Sequence, residues 1–365
     1  MKKIILLLMI LLSLVACSSE EPLDMYQGQF YECFDTVTSV SIPATSEEEA
    51  QEKIDKIQKR YEELHQLYDK YHEYPGIVNI KTINEKGHKE PVKVEKDLLD
   101  LLIFSKENYK NISKKVDISK GALLEVWSDY RDGHEAGLDF EGEEQRKDRK
   151  PELPPMEELE KVGSYGSMEN LIIDEKNSTV FLKDPNMKLD VGAVAKGFAT
   201  EIVARELEKQ GEDHIILSAG GNVRLIGNPL DPNKKRFVIG LQNPEVLTDD
   251  GTGSNILDVV YANDVSIVSS GDYQRYYEVD GKIYHHIIDM ETLYPGDYFR
   301  GVSVVTKDSG IADFLSTAVF LMPYEEGKAL IDSLPDTEAY WIFDDMSVKY
   351  TDGMGPMLRS QGATN

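Results

Sequence analysis

VSIVSSGDYQRYYEVDGKIYHHIIDMETLYP, residues 265–295, is the stretch from which the fold can be read. Tyr276–Val279 and Lys282–Ile288 are rich in aromatic and β-branched residues. They flank Asp280-Gly281, a dipeptide suited to a two-residue type I′ turn, so the spacing predicts a β-hairpin. A small-residue turn, Ser269-Ser270-Gly271-Asp272, precedes it, and two adjacent histidines lead into Asp289 on the outgoing strand. Neighbouring side chains of a strand point to opposite faces. One of His285 and His286 therefore faces the functional side; the plainer alternative is a surface hairpin with a solvated histidine pair.

Outward from the hairpin, strands and helices alternate without a repeat. Thr36–Ile42 reads as a strand. Ser46 and Glu49 form a capping box for a helix whose stripe is Ile54, Ile57, Tyr61, Leu64, Tyr68 and Tyr71. Residues 94–112 give a second amphipathic helix, and a short helix or turn reaches Trp127. From 128 to 155 apolar periodicity vanishes among charged residues, Gly and Pro, which predicts an exposed acidic loop or a lid. Residues 156–162 form a short helix, and 171–174 with 179–182 a hairpin. A strand closes at Leu189–Gly192, a helix spans 193–210, and strands follow at 214–218, 223–226, 236–241, 256–261 and 265–269. A strand at 301–306, helices at 311–322 and 325–333, and strands at 339–343 and 348–350 complete the pattern. Intermixed elements with prominent hairpins indicate an α+β fold with a mainly antiparallel sheet.

The first sixteen residues lie outside that fold. Lys2-Lys3, an apolar run from Ile4 to Leu12 and Leu14-Val15-Ala16-Cys17 resemble a bacterial lipoprotein signal, in which Cys17 becomes the lipidated first residue. Residues 17–28 would then be a lipid-anchored tether on the extracytoplasmic face of the cell membrane, 29–358 the folded domain and 359–365 a tail. Lipidation of Cys17 leaves Cys33 as the one free cysteine, so a disulfide framework within the chain is excluded. The formal charge is −26, and removing Lys2 and Lys3 takes it to about −28. Such a surface argues against nucleic acid or an anionic membrane surface as partner, so the membrane is met through the anchor only.

Three segments carry candidate chemistry. Leu189-Asp190-Val191-Gly192-Ala193-Val194-Ala195-Lys196-Gly197 joins a strand to a helix through small residues, and amides at a helix start suit a phosphate. Lys196 there opposes the helix dipole, which hints at a ligand anion, although the spacing matches neither the P-loop nor the dinucleotide fingerprint. Ser218-Ala219-Gly220-Gly221-Asn222 either lines a pocket or forms a bulge. Asp313 and Thr317, one helical turn apart, are either ordinary helix residues or hard oxygen ligands for magnesium beside a phosphate.

Taken together and in order, Asp190-x-Gly-x-x-Ala-Lys-Gly197, Ala219-Gly-Gly-Asn222, Ser270-Gly-Asp-Tyr-x-Arg275, His286-Ile-Ile-Asp289 and Ala312-Asp-x-x-x-Thr317 resemble the ApbE family. The resemblance implies a T-fold-like α+β protein that binds FAD and Mg²⁺. Its reaction would move FMN from FAD to a Thr or Ser hydroxyl of a target protein, as a phosphoester with release of AMP. The expected acceptor is a flavoprotein subunit of the redox-pump type. By the same resemblance Asp313, Thr317 and the backbone oxygen of Ala193 hold the metal, while Asp190 and Lys196 meet the dinucleotide. Phe34, Tyr71, Lys115, Val116, Asp117 and Ile288 line its site. His286 is the base for the incoming hydroxyl, and Ser270, Gly271, Asp272, Tyr273, Arg275 and Asp289 shape the acceptor side. Hydrolysis of FAD to FMN and AMP, or non-catalytic flavin binding, are the alternatives. The chain departs from the family at Met290, usually Pro, at Leu293, usually Gly, and at Asn222, frequently an acid.

Overall fold

In a computed structural model of the chain, residues 22–132, 151–246, 251 and 253–365 are described. The signal-like segment, Cys17 and most of the 128–155 stretch lie outside them. β1 (Asp24–Cys33) turns back as β2 (Thr36–Ala44) through Phe34 and Asp35, whose φ values of 57° and 51° suit a type I′ turn. β1 already begins at Asp24, so Asp24 to Gly28, read from the sequence as tether, belong to the sheet. α1 (Glu47–Tyr68) buries Ile54, Ile57, Tyr61, Leu64 and Tyr68 of the expected stripe, whereas Tyr71 lies past the helix end and is exposed. Ser46 Oγ accepts from Glu49 N at 3.2 Å. Glu49 in turn accepts from Thr45 N at 2.8 Å, one residue before the usual capping-box partner.

α2 (Ile80–Lys86), which the sequence pattern did not reveal, starts on an Asn79 cap. β3 (Val92–Lys93), α3 (Lys96–Asn111), α4 (Gly121–Asp132) and α5 (Met156–Gly163) follow. α4 thus extends five residues past Trp127 into the stretch expected to be loop. β4 (Leu171–Asp174) and β5 (Thr179–Leu182) form the expected hairpin. The strand expected at Leu189–Gly192 is absent; an extended segment there is tied by Asp190 N to Ile118 O at 2.9 Å and Leu189 N to Asn84 Oδ1 at 2.7 Å. α6 (Ala195–Lys209) begins after a turn at Val191–Val194. Next come β6 (Ile215–Ala219), β7 (Asn222–Ile226), β8 (Phe237–Gln242), β9 (Ile256–Ala262) and β10 (Ser266–Gly271). The opening hairpin is β11 (Tyr276–Val279) and β12 (Lys282–His285), turning at Asp280 and Gly281, both with positive φ. Its return strand stops at His285 because Ile288 instead bridges Pro295 across a tight turn. β13 (Gly301–Thr306), α7 (Ser309–Phe320), α8 (Tyr324–Asp332), β14 (Glu338–Ile342) and β15 (Val348–Tyr350) complete the set.

One eight-stranded sheet, in the order β1-β2-β6-β7-β10-β13-β14-β15, has every neighbouring pair antiparallel. α1, α6 and α7 cover one face around Ile42, Tyr61, Leu64, Phe314, Phe320 and Trp341. At roughly 1.5–3 kcal/mol per fully buried large apolar side chain, this layer dominates stability. β8 and β9 cover the other face with Leu225, Phe237, Ile267 and Leu358. A third cluster packs α4 and α5 on the β11–β12 hairpin through Leu123, Trp127, Leu159, Tyr277 and Val279. The α+β expectation with a mainly antiparallel sheet holds.

Candidate active site

β2 begins, β6 ends, β7 begins and β10 ends at the same edge of the sheet, and small residues there (Thr36, Gly220, Ser269, Ser270) leave a gap. α6 and α7, the hairpin, and α4 wall that gap into a cleft of about 560 Å³. Phe34, Tyr71, Lys115, Val116, Asp117, Asp190, Ala193, Lys196, Ser270, Gly271, Tyr273, Arg275, His286, Ile288, Asp313 and Thr317 all line it. Residues as distant in sequence as Phe34 and Thr317 are thereby brought to one place.

Asp272 and Asp289 do not line it. Asp272 turns to Arg300, whose Nε donates to its Oδ2 at 2.7 Å. Asp289 is buried, receives Glu291 N at 2.9 Å and pairs with Lys115 at 3.1 Å. Both carboxylates expected on the acceptor side thus lie outside the cleft lining, each next to a turn and paired with a cation.

The two histidines divide cleanly. His285 Nε2–H donates to Gly296 O at 2.7 Å, and its Nδ1 accepts Ile287 N at 3.2 Å, so both nitrogens are committed. His286 has Nδ1 at 3.2 Å from Arg275 O, an acceptor that draws the ring proton to Nδ1. Nε2 is left as the lone-pair nitrogen, the form a general base needs. Burial, reinforced by the positive charge of Arg275, pushes the His286 imidazole down to about 3, so the ring is neutral at physiological pH.

Asp313 joins two helices. Its Oδ2 accepts Gly197 N at 2.8 Å, so a side chain from α7 caps the first turn of α6. Only a glycine allows this approach: a Cβ at position 197 would lie 2.4 Å from Asp313 Cβ and 2.4 Å from Ser309 O. Burial raises the Asp313 carboxyl, and Lys196 with the Gly197 amide offsets that only in part. Such a group gains from a cation. Asp313, Thr317 and the Ala193 carbonyl offer a small set of hard oxygens of the kind Mg²⁺ takes while keeping several waters. Among the described residues no cluster of three His, Cys, Asp or Glu could hold a metal, so the fit is to this oxygen set rather than to a cage.

Across the cleft Lys70 Nζ reaches Asp190 Oδ2 at 2.6 Å. Burial alone would raise the Asp190 carboxyl, but Lys70 outweighs it and holds the group below its usual range. Asp190 Oδ1 also receives Gly192 N at 2.8 Å, which shapes the turn into α6. On the far side Phe34 packs edge-on to His65, and Lys70 lies over the Tyr71 ring. Arg275 donates to Asp35 O at 3.0 Å, fastening the β1–β2 turn to the β10–β11 connection.

A family model, the ApbE family, matches residues 34–341. The chain belongs to that family. An FAD:protein FMN transferase of Klebsiella pneumoniae strain 342 is 28% identical over 264 residues, spanning 72% of this chain and 74% of its own length. One from Treponema pallidum strain Nichols is 34% identical over 188 residues, 50% of this chain and 51% of its own. The crystal structure of an ApbE protein from Thermotoga maritima superposes with a TM-score of 0.73 at 25% identity, covering 90% of this chain and 98% of that one. The flavin transferase ApbE of Vibrio cholerae shares the fold at a TM-score of 0.69 and 21% identity, over 92% and 100%.

Within this ApbE-family chain the departures at Met290 and Leu293 acquire a structural meaning. Leu293 has a left-handed backbone, φ 64°, a conformation that Gly adopts without strain. The turn is nevertheless closed by Leu293 N to Asp289 O and Asp289 N to Tyr294 O, both 2.8 Å. Trp127 Nε1 donates to Leu293 O at 2.9 Å, and the Leu293 side chain packs on Gly163 at the end of α5. Contacts from α4 and α5 offset the strain. Lys70, Trp127, Ser128, Arg131 and Gln274 also line the cleft and were not singled out from sequence. For α4 the signal was present but unread: Leu124, Trp127, Ser128 and Arg131 recur at helical spacing, a stripe that faces the cleft.

Proposed function

We propose that this chain is an FAD:protein FMN transferase. The reaction breaks the pyrophosphate of FAD and joins FMN through a phosphoester to a Thr or Ser hydroxyl of an extracytoplasmic flavoprotein subunit. One observation carries the reading: a neutral histidine with its tautomer set by Arg275 O shares a cleft with the buried carboxylate of Asp313. The acceptor hydroxyl oxygen attacks the FMN phosphorus and its proton passes to His286 Nε2. The phosphorus–oxygen bond to the AMP moiety breaks, and AMP leaves with the bridging oxygen. Asp190 with Lys70, and Lys196 at the start of α6, orient the dinucleotide. Mg²⁺ held by Asp313, Thr317 and the Ala193 carbonyl supplies neutralisation of phosphate charge when bound.

The test is incubation with FAD, Mg²⁺ and a redox-pump flavoprotein subunit, followed by mass spectrometry of that subunit. Added FMN supports the proposal, and its absence across plausible acceptors sinks it. His286→Ala should keep FAD bound while transfer falls by roughly 10²–10⁴-fold. AMP release at a matching rate without any acceptor would indicate hydrolysis instead. Lipid anchoring at Cys17 rests on residues 1–19 alone. Palmitate labelling lost in Cys17→Ala supports it, and unlabelled wild-type protein contradicts it.

A further inference from the structure

Asn222 opens β7 directly after Gly220 and Gly221, whose φ values are 55° and 85°. Its backbone is held on both sides, opposite Ala219 in β6 and opposite Val268 in β10. The side chain is 1% exposed, yet it forms part of the cleft wall. Oδ1 accepts the Ser309 hydroxyl. Ser309 in turn is fixed by its backbone N–H, which donates to the buried Glu201 carboxylate at 2.9 Å. Nδ2 therefore points the other way and has no partner. It lies beside the first turn of α6, where a Cβ on Gly197 would be 2.9 Å from Nδ2. A buried donor without an acceptor is destabilising, a penalty that an arriving anionic oxygen removes. The same region holds Lys196 and the positive end of α6, which favour negative charge.

We propose that Asn222 binds the phosphate part of the dinucleotide, its Nδ2–H donating to a non-bridging oxygen of the pyrophosphate, with Ser309 holding the amide in that orientation. The proposal rests on the flavin reading above and adds a residue to it. The donor recognises phosphate rather than the flavin ring, so its loss must separate ligands with and without phosphate.

Titration of the full-length chain with FAD and with riboflavin, by flavin fluorescence in EDTA and again in Mg²⁺, decides the matter. Asn222→Ala should weaken FAD by about 10–100-fold in EDTA and leave riboflavin within about twofold. Asn222→Asp keeps the size but replaces the donor with a negative acceptor, and should weaken FAD more. It also serves the comparison if the alanine variant melts early. Ser309→Ala should give a smaller loss confined to FAD. Equal losses for both ligands, or no loss for FAD, overturn the proposal. A loss seen only in Mg²⁺ also overturns it, because the amide oxygen would then be serving a cation. Wild-type protein that binds neither flavin refutes the functional reading instead, so the two failures are distinguishable.

Discussion

At His286 the loss of water and the neighbouring charges act in the same direction on the imidazole. Burial is the larger cause, and Arg275, His285, Lys196 and Arg131 all face the ring with positive or protonatable groups. With the folded value near 3 and the ordinary value 6.5, the unfolded chain binds a proton that the folded chain refuses between those limits. Stability linked to His286 is therefore full above pH 6.5 and is lost as pH falls toward 3. Ring resonances of His286 in the free protein should stay flat from about pH 7.5 to about pH 5 in a heteronuclear NMR titration. An inflection near 6.5 would contradict this and remove the reason for a standing neutral base. His285, also lowered first by burial, acts in the same direction, so His286→Gln should reduce the acid sensitivity without abolishing it.

Helices α6 and α7 meet at Gly197, and their approach sets where Asp313 lies. Gly197→Ala would force the helices apart at backbone level, since Ser309 O cannot rotate away. The expected cost is about 1–3 kcal/mol in denaturant unfolding, with weakened binding of Mn²⁺ as a paramagnetic probe of the metal site. Unchanged stability and Mn²⁺ affinity would place Asp313 elsewhere. This contact was only half legible in sequence: Asp190 to Gly197 declared a tight entry to a helix, but nothing marked Gly197 as the seat of another helix's carboxylate. Elements with strong periodicity, such as the α1 stripe and the Asp280-Gly281 turn, could be read directly. β1 could not, because at the sheet edge most of its residues are exposed and the strand lacks apolar alternation. α2 has only Ile80 and Ile83 buried, too few for a helical signature. The pairings of Asp272 and Asp289 were not legible either: side-chain direction at a turn follows its cations, here Arg300 and Lys115, which are distant in sequence.

Over the whole molecule, charge is distributed so that the cleft does not attract its ligand from afar. Five cationic side chains (Lys70, Lys115, Arg131, Lys196, Arg275) and five carboxylates (Asp35, Asp69, Asp117, Asp190, Asp313) line it, while the chain carries −26. The far field opposes an anionic dinucleotide, and affinity must come from contact. The association rate of FAD, measured by stopped-flow fluorescence, should therefore rise from about 10 mM to about 150 mM salt, as the screening length falls from about 30 Å to about 8 Å. A rate that falls over this range would reveal a positive funnel. One small piece of the whole carries a further consequence. Phe34 occupies a left-handed position at the β1–β2 turn that Asn accepts with less strain, yet its ring also packs against His65 and lines the cleft. Relief of strain and loss of ring packing roughly offset each other in Phe34→Asn, so its melting temperature should stay within about 3 °C while FAD affinity drops by about tenfold. A mutational scan scored for heat resistance alone would pass over position 34 in silence, and the same library sorted on bound flavin would single it out.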